Sequence, residues 1–549
     1  MTPTPVDLSR FEKEVGVADP ITFQRRANGW LSVLRTKVGT VDVCGSALDP
    51  LDALRAELNL HLGRALEFVT VARGLTQRFP SGAVSIGSGD FAAGVASVLR
   101  ILPGAPTAVT APRWRRAMDD LKVAGWLARR QVKHQWGGWR GPPLPTEANV
   151  VLAVVRSPDH LLHVVPIAKE LEASHAKSVL FAVCDQKMAA LVDQAGFASV
   201  DLYHCAAANP VGLGVGSALL VRRAAAAMRE VRPAGFDALE LDVMKRTALR
   251  VLRVNAPDLF RMAQGIQSVF EAARPSLVIA ANPYTMEGRL AWRLAVANRI
   301  SSAAVEHGTI FVNDPIWDEL GVDTFCAWGE HSREALLACG MRNEQIAVVG
   351  SPRLDVELGK TRRSRSDHPK ILVATSGPGD QISLSQHEAF IDMLYEAAAD
   401  APEVHWVVKL HRKDKVALYS AANQRGAGSR VEVVPFDASA DIFDFLEGAK
   451  AMVTIASAAA LEAMVARVPV ITVQASSGSS THVEFIERGC TRHVRSAHEL
   501  AVEVRRAFRD EKDSQTDEAS RQYATAHFAN IGVAAIATAA RLVATERRG

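Results

Sequence analysis

The chain has 549 residues, of which 48% are hydrophobic and 22% charged, and its formal net charge is +3. That length exceeds a single hydrophobic core and implies roughly two to four domains. The composition excludes a disordered chain, and so small a positive charge argues against nucleic acid as the main partner. Six cysteines without a CxxC pair exclude a disulfide framework and a structural zinc site, which fits a reducing cytoplasm. The N-terminus lacks a signal-peptide pattern and no apolar run reaches transmembrane length, so the expectation is a cytoplasmic protein with at most peripheral membrane contact.

Residues 1–145 form a first region of uncertain role, α/β or mostly helical. Leu51 to Leu58 carry apolar positions at helical spacing. Ala83–Ser85 read as a strand running into Gly87-Ser88-Gly89, followed by a helix over 91–102 and a short strand over 107–110. This turn lacks a full GxGxxG fingerprint and is best read as an ordinary tight turn. The basic, Trp-bearing stretch from Arg113-Trp114-Arg115-Arg116 to Trp139-Arg140 suits either an anionic membrane surface or packing against the next domain. The Gly/Pro-rich segment 137–145 is the best linker in the chain.

The second domain, over 146–360, opens with the uninterrupted apolar run Asn149–Val155, typical of a parallel strand buried on both faces. The polar turn Arg156-Ser157-Pro158-Asp159-His160 then leads into a helix. Further strand patterns occur at 178–183 and 277–280, separated by a long Ala- and Arg-rich helical region. Three strand-like runs next end in polar or glycine-bearing turns: the first at Asn282-Pro283, the second at Glu306-His307-Gly308-Thr309, and the third at Trp328-Gly329. Gly350-Ser351-Pro352-Arg353-Leu354-Asp355 follows. Ligands of open α/β sheets bind at such carboxyl strand ends.

The third domain, over 361–549, repeats the alternation with strands at 369–375, 405–410, 431–434, 451–455 and 468–473, and ends in helix. The predicted fold class is therefore α/β, with two tandem Rossmann-like doubly wound domains and a ligand site expected in the cleft between them. Three loops in this last domain carry candidate chemistry. Ser376, Gly377 and Gly379 end a strand with small residues whose N–H groups can approach a phosphate. Lys409, His411 and Arg412 form a cationic cluster at another strand end. Ser457 and Ala458 open a helix, and Glu462 lies one turn in, placed to reach a sugar or ribose hydroxyl; a capping serine and a solvated glutamate are the simpler alternative.

Taken in order, His-Gly-Thr, Trp-Gly-Glu, Gly-Ser-Pro-Arg-Leu-Asp, Lys-Leu-His and Ser-Ala-Ala-Ala-Leu-Glu-Ala resemble the GT-B glycosyltransferases of bacterial surface and capsule polysaccharide synthesis. The pattern is most similar to the branch containing CDP-glycerol glycerophosphotransferases. The resemblance runs from about Asn149 to the C-terminus. It implies an acceptor-side N-lobe, a C-lobe holding the nucleotide donor, His307 at the cleft, and Lys409 and His411 on the donor phosphates. Arg412 stands where that family usually has proline, and Ala456-Ser457 where the glycerophosphotransferases usually have Asp-x-Ser-Ser. The second departure favours a sugar donor over glycerophosphate.

The expected function is a metal-independent, nucleotide-sugar-dependent glycosyltransferase of the cell envelope, without a cofactor, using a glycan, lipid-linked or protein acceptor. His307 or Glu306 would act as general base, with Asp159 and His160 as further acceptor-side candidates. Ser351, Arg353, Ser376, Gly377, Gly379, Lys409, His411, Arg412, Ser457, Ala458 and Glu462 would hold the donor. The alternatives are a nucleotide-sugar 2-epimerase, a glycerophosphotransferase-like polymerase, and a non-catalytic binding protein of the same fold.

Overall fold

The computed structural model describes residues 4–5, 20–43, 46–79, 83–85, 90–100, 102, 107–109, 149–206, 210–310, 314–354, 356, 369–377, 382, 384–423, 431–437, 441–455, 457, 459–474, 483–511, 513–529 and 535–545. The basic stretch 113–140, Gly379 and Ala458 lie outside these residues. The chain forms two compact units. One comprises Met1–Trp328, Ser332–Pro352 and Ala534–Gly549; the other comprises Gly329–His331 and Arg353–Val533.

The first unit is built on seven parallel strands: β1 (Val150–Val154), β2 (Ser178–Val183), β3 (Ala198–Asp201), β4 (Leu277–Ala280), β5 (Ser301–Val305), β6 (Thr324–Ala327) and β7 (Ile346–Val348). Their spatial order is β3-β2-β1-β4-β5-β6-β7, so the direction of winding reverses between β1 and β4. Strand β1 shows why its sequence is apolar throughout. Val150, Leu152 and Val154 join the core on one face, whereas Val151 and Ala153 join the core on the other. A strand covered by helices on both sides has no face left for water.

Helices α1 (Pro20–Val38) and α2 (Arg55–Arg78) belong to that same structure. Trp30, Leu31, Leu58, Leu62 and Leu66 lie in one core with Met262 and Ile266 of the 36-residue helix α3 (Ala238–Ala273). Much of the N-terminal region is thus mostly helical and continues the first unit's core. A small parallel sheet of Thr4–Pro5, Ala83–Ser85 and Thr107–Val109 completes it, with helix Asp90–Leu99 between the last two strands, as the βαβ pattern predicts.

The second unit has six parallel strands: β8 (Lys370–Ala374), β9 (Trp406–Lys409), β10 (Val431–Val434), β11 (Ala449–Thr454), β12 (Val470–Val473) and β13 (Arg492–Val494). Their order β10-β9-β8-β11-β12-β13 repeats the first six positions of the other sheet, with the reversal between β8 and β11. The fold is therefore α/β, with two tandem Rossmann-like doubly wound units of GT-B type and a mostly helical N-terminal region. The C-terminal helix Ala535–Thr545 does not stay with the second unit. Its Ala539, Ala540 and Val543 join Val164 and Ile167 of helix Pro158–His175 in the first. Small residues on that face let the two helices approach closely.

Candidate functional site

In doubly wound sheets the ligand position expected is the carboxyl end of the strands where the order reverses, between β1 and β4 in the first unit and between β8 and β11 in the second. In the first unit, this point is occupied by the segments after β1, β4 and β5. His307 follows β5, and its Nε2 lies 3.2 Å from Asn282 Nδ2, after β4. The imidazole of His160, after β1, stands edge-on to that of His307 with ring centroids 4.8 Å apart, and Tyr284 lies 5.9 Å away. His160 is buried and its Nδ1 accepts the Arg156 backbone N–H at 3.1 Å, whereas Asp159 is exposed. The four residues meet because their strands are neighbours in the sheet. Gly288 makes the corner possible: a Cβ there would stand 1.8 Å from the Asn282 carbonyl oxygen.

Burial lowers the pKa of His307 to about 4, against the opposing charge of Asp159 and a backbone hydrogen bond at Ala281. Its ring is therefore neutral at physiological pH. Glu306 beside it is fully buried and turned away into the sheet. It accepts the Trp328 N–H at 2.6 Å and the Ser332 hydroxyl at 2.7 Å. Burial pushes its carboxyl up to about 8 despite those two donors. Glu306 thus ties the end of β5 to the chain following β6. In the same unit, Arg156 pairs with Glu287 at 2.9 Å, and Glu57 of α2 has a shielded Oε2 without a partner. Burial and the charge of Glu287 raise Glu57 to about 7.

In the second unit, the three candidate loops converge on its switch point, following β8, β9 and β11. Ser376 Oγ is buried without a hydrogen-bond partner. Gly377 has φ +63°, and a Cβ there would approach Lys413 Cβ to 2.9 Å, so the loops after β8 and β9 touch backbone to backbone. His411 is half-buried, and burial followed by the neighbouring charges of Arg412 and Lys413 lowers its pKa. Lys409 lies over the rings of Phe445 and Phe436, 5.5 and 6.0 Å from their centroids, and Arg412 is exposed. Ser457 Oγ accepts the Ala459 N–H at 3.2 Å, so this hydroxyl caps the following seven-residue helix.

Glu462 lies on that helix, Ala459–Val465. Its Oε1 pairs with Arg353 Nη1 at 3.0 Å, while Arg353 Nη2 pairs with Asp441 at 3.1 Å. Glu462 Oε2 is buried with no partner. Burial raises the Glu462 pKa, opposed chiefly by the charge of Arg353. Ser351 is buried and belongs to the first unit, two residues before Arg353 enters the second.

Residues 318–536 match the family model of UDP-N-acetylglucosamine 2-epimerase. No curated protein matches the chain. Among solved structures, a Listeria monocytogenes chain assigned as a UDP-N-acetylglucosamine 2-epimerase is 14% identical, covering 73% of this chain and 98% of its own, with a TM-score of 0.48. S. aureus MnaA in a co-structure with UDP is 12% identical over 70% and 94% of the two chains, with a TM-score of 0.46. The Neisseria meningitidis UDP-GlcNAc 2-epimerase bound to UDP-GlcNAc is 14% identical over 72% and 99%, with a TM-score of 0.45.

The family match corrects the expected activity. It is to a 2-epimerase family, neither to glycosyltransferases nor to the glycerophosphotransferase branch, and the isomerase alternative takes the transferase's place. The physical reason is that the motifs carrying the resemblance mark strand ends of Rossmann-like units. Such a unit does not by itself fix which bond of the sugar reacts. The matched segment contains Arg353, Ser376, Gly377, Lys409, His411, Arg412, Ser457 and Glu462, whereas Glu306, His307, Asp159 and His160 lie before it.

The structure adds residues that the sequence reading did not single out for chemistry. Asn282 and Tyr284 flank His307, and their position at the end of an apolar strand was a usable signal. Asp414, His387 and Asp441 had no such signal, because the pairing of Asp414 with His387 spans 27 residues and that of Asp441 with Arg353 spans 88.

Proposed function

We propose that the chain binds a nucleoside-diphosphate sugar and inverts the configuration at C2 of the sugar, an isomerisation of the UDP-N-acetylglucosamine 2-epimerase kind. The observation that carries this reading is the family match over 318–536, which spans all three loops at the second unit's switch point. The local geometry supports a nucleotide there. Ser376 Oγ and Glu462 Oε2 are a buried donor and a buried acceptor without partners, and groups in that state are costly unless a ligand or water satisfies them. Lys409, His411 and Arg412 supply positive charge and N–H donors at the neighbouring strand end, suited to a diphosphate.

Inversion at C2 removes the C2 proton while the C–H electron pair forms a C1=C2 double bond and the C1–O bond to the nucleoside diphosphate breaks; return of the diphosphate to C1 with a proton on the opposite face of C2 leaves no net change in atoms. In the first unit, burial keeps the imidazole of His307 unprotonated at physiological pH, so it has a ring nitrogen open to a proton but is a weaker base than a free histidine, while Glu306 is a neutral, proton-bearing carboxyl. His307 is assigned the acceptor role, oriented by Asn282, and Glu306 the support of its turn.

Incubation with UDP-N-acetylglucosamine in D2O tests the reading. The expected result is deuterium at C2 together with the 2-epimer, seen by NMR. A panel of CMP-, CDP-, UDP-, GDP- and dTDP-sugars extends it to other nucleotides. Failure of every sugar nucleotide in the panel to bind overturns the proposal.

A further inference from the structure

Beneath the second unit's cationic loop lies a buried network that no part of the proposed reaction uses directly. Asp414 Oδ1 is 2.6 Å from Nε2 of His387, on helix Leu384–Asp400, and both side chains are fully shielded from solvent. The other carboxylate oxygen accepts the His411 backbone N–H at 2.9 Å and the hydroxyl of Thr375, at the end of β8. That hydroxyl also accepts the same His411 N–H at 2.9 Å. Tyr419 OH closes the cluster at 3.4 Å from both Asp414 Oδ1 and His387 Nε2, and its backbone carbonyl is held by Tyr395 OH. His387 Nδ1 is buried without a partner, so the ring presents its N–H from Nε2 to the carboxylate.

The consequence falls on His411. Its backbone is clamped by Asp414 and Thr375, and its Nδ1 accepts the Lys413 N–H at 3.2 Å. With Nδ1 engaged as acceptor, the neutral ring carries its proton on Nε2. The same carboxylate ties the loop after β8 to the loop after β9, where Gly377 and Lys413 are in close approach.

We infer that Asp414 and His387 are positioning residues that set the His411 ring and the two strand-end loops for the diphosphate of the bound nucleotide. Asp414 does this through the His411 and Thr375 hydrogen bonds, and His387 by fixing the Asp414 carboxylate. This inference rests on the nucleotide site proposed above. Burial holds the machinery rigid: a carboxylate with four donors around it has one low-energy orientation, so the loops it grips have one too. Displacing a charge-binding loop by about 1 Å costs on the order of a hundredfold in function.

The test compares UDP binding by calorimetry with uridine binding by saturation-transfer NMR, in the wild-type chain and in Asp414→Asn, His387→Gln and His387→Leu. The expected result is a ten- to hundredfold loss of UDP affinity in Asp414→Asn and His387→Leu, with uridine binding unchanged. His387→Gln, which keeps an N–H donor for Asp414, should recover most of the UDP affinity. Thr375→Val provides the same readout if an Asp414 variant does not fold, and should also weaken UDP alone. Equal losses for UDP and uridine, or no loss for either, overturn the positioning role while leaving the nucleotide site standing. A wild-type chain that binds neither UDP nor any sugar nucleotide of the panel overturns both.

Discussion

Arg289 Nη1 lies 3.1 Å from Asp52 Oδ1, and neither side chain has any exposure to solvent. Three further arginines converge on the same carboxylate: Arg293 at 2.6 Å, Arg55 at 3.2 Å and Arg35 at 3.4 Å. Asp52 and Arg55 flank the turn into α2, Arg35 comes from α1, and Arg289 and Arg293 belong to helix Met286–Ala297 beside the first unit's switch point. One carboxylate therefore fixes the N-terminal helices to the sheet that carries His307.

Replacing Asp52 with Ala should destabilise the first unit by about 3–5 kcal/mol, because the buried guanidinium groups of Arg55 and Arg289 would lose their shared counter-charge. Burial alone would raise the Asp52 pKa, but Arg289, Arg293 and Arg35 outweigh it and hold the carboxyl below its usual value. Its contribution is accordingly present above the unfolded-state value of 3.8 and is lost as pH falls through the lower folded value. Urea unfolding followed from pH 7 down to 3 should show the wild-type advantage over the variant shrinking only at the acid end. A variant as stable as the wild type at pH 7 would contradict this account.

Glu306 predicts the opposite dependence. Its folded pKa of about 8 lies above the ordinary carboxyl value of 4.5. Between those values the folded chain keeps a proton that the unfolded chain releases, so stability declines as pH rises through this window. Glu306→Gln keeps an oxygen for the Trp328 N–H and removes the titration. The variant should gain on the wild type from pH 5 to about pH 8 and then level off, measured by denaturant midpoints. A difference independent of pH would show that Glu306 is charged in the folded chain.

Much of this architecture is legible in the sequence, for a physical reason. A parallel strand buried on both faces must be apolar at every position, so β1, β4, β8, β9, β11 and β12 stand out as runs. The loops that follow them inherit an address at the sheet's carboxyl edge. His307, His411 and Glu462 could be found in this way. The arginine cluster at Asp52 could not, since Arg289 lies 237 positions further along the chain. Nor could the return of the C-terminal helix to the first unit, because its partner helix Pro158–His175 lies more than 350 positions earlier in the chain. The activity was misread for a related cause: strand-end loops of a Rossmann-like sheet do not by themselves fix which reaction they serve.

The His307 assignment separates chemistry from binding. His307→Ala should slow deuterium incorporation at C2 by about a hundredfold or more, the usual range for loss of a positioned proton-transfer group. UDP affinity should stay within twofold, since the proposed nucleotide contacts belong to the second unit. Because burial holds the ring neutral down to about pH 4, the wild-type rate should show no His307 titration between pH 6 and 8. A rate that falls through this range with a His307-dependent inflection would refute the neutral-imidazole role.

Glu462 offers the sharpest test of how the nucleotide is held. Oε1 is committed to Arg353 at 3.0 Å, and Oε2 is a shielded acceptor with nothing to accept from. A sugar or ribose hydroxyl donating to this oxygen would form a hydrogen bond to a charged group, worth about 1.5–3 kcal/mol. Glu462→Gln should therefore weaken UDP by roughly ten- to a hundredfold. The glutamine keeps the side chain's shape but presents its N–H2 or its weaker carbonyl acceptor to the ligand, and Arg353 keeps Asp441 as its partner. Deoxy analogues of UDP identify the donor. The analogue lacking the hydroxyl that Glu462 binds should be weaker on the wild type and equally weak on the variant. If every deoxy analogue loses as much affinity on Glu462→Gln as on the wild type, Oε2 does not receive a hydroxyl of the nucleotide.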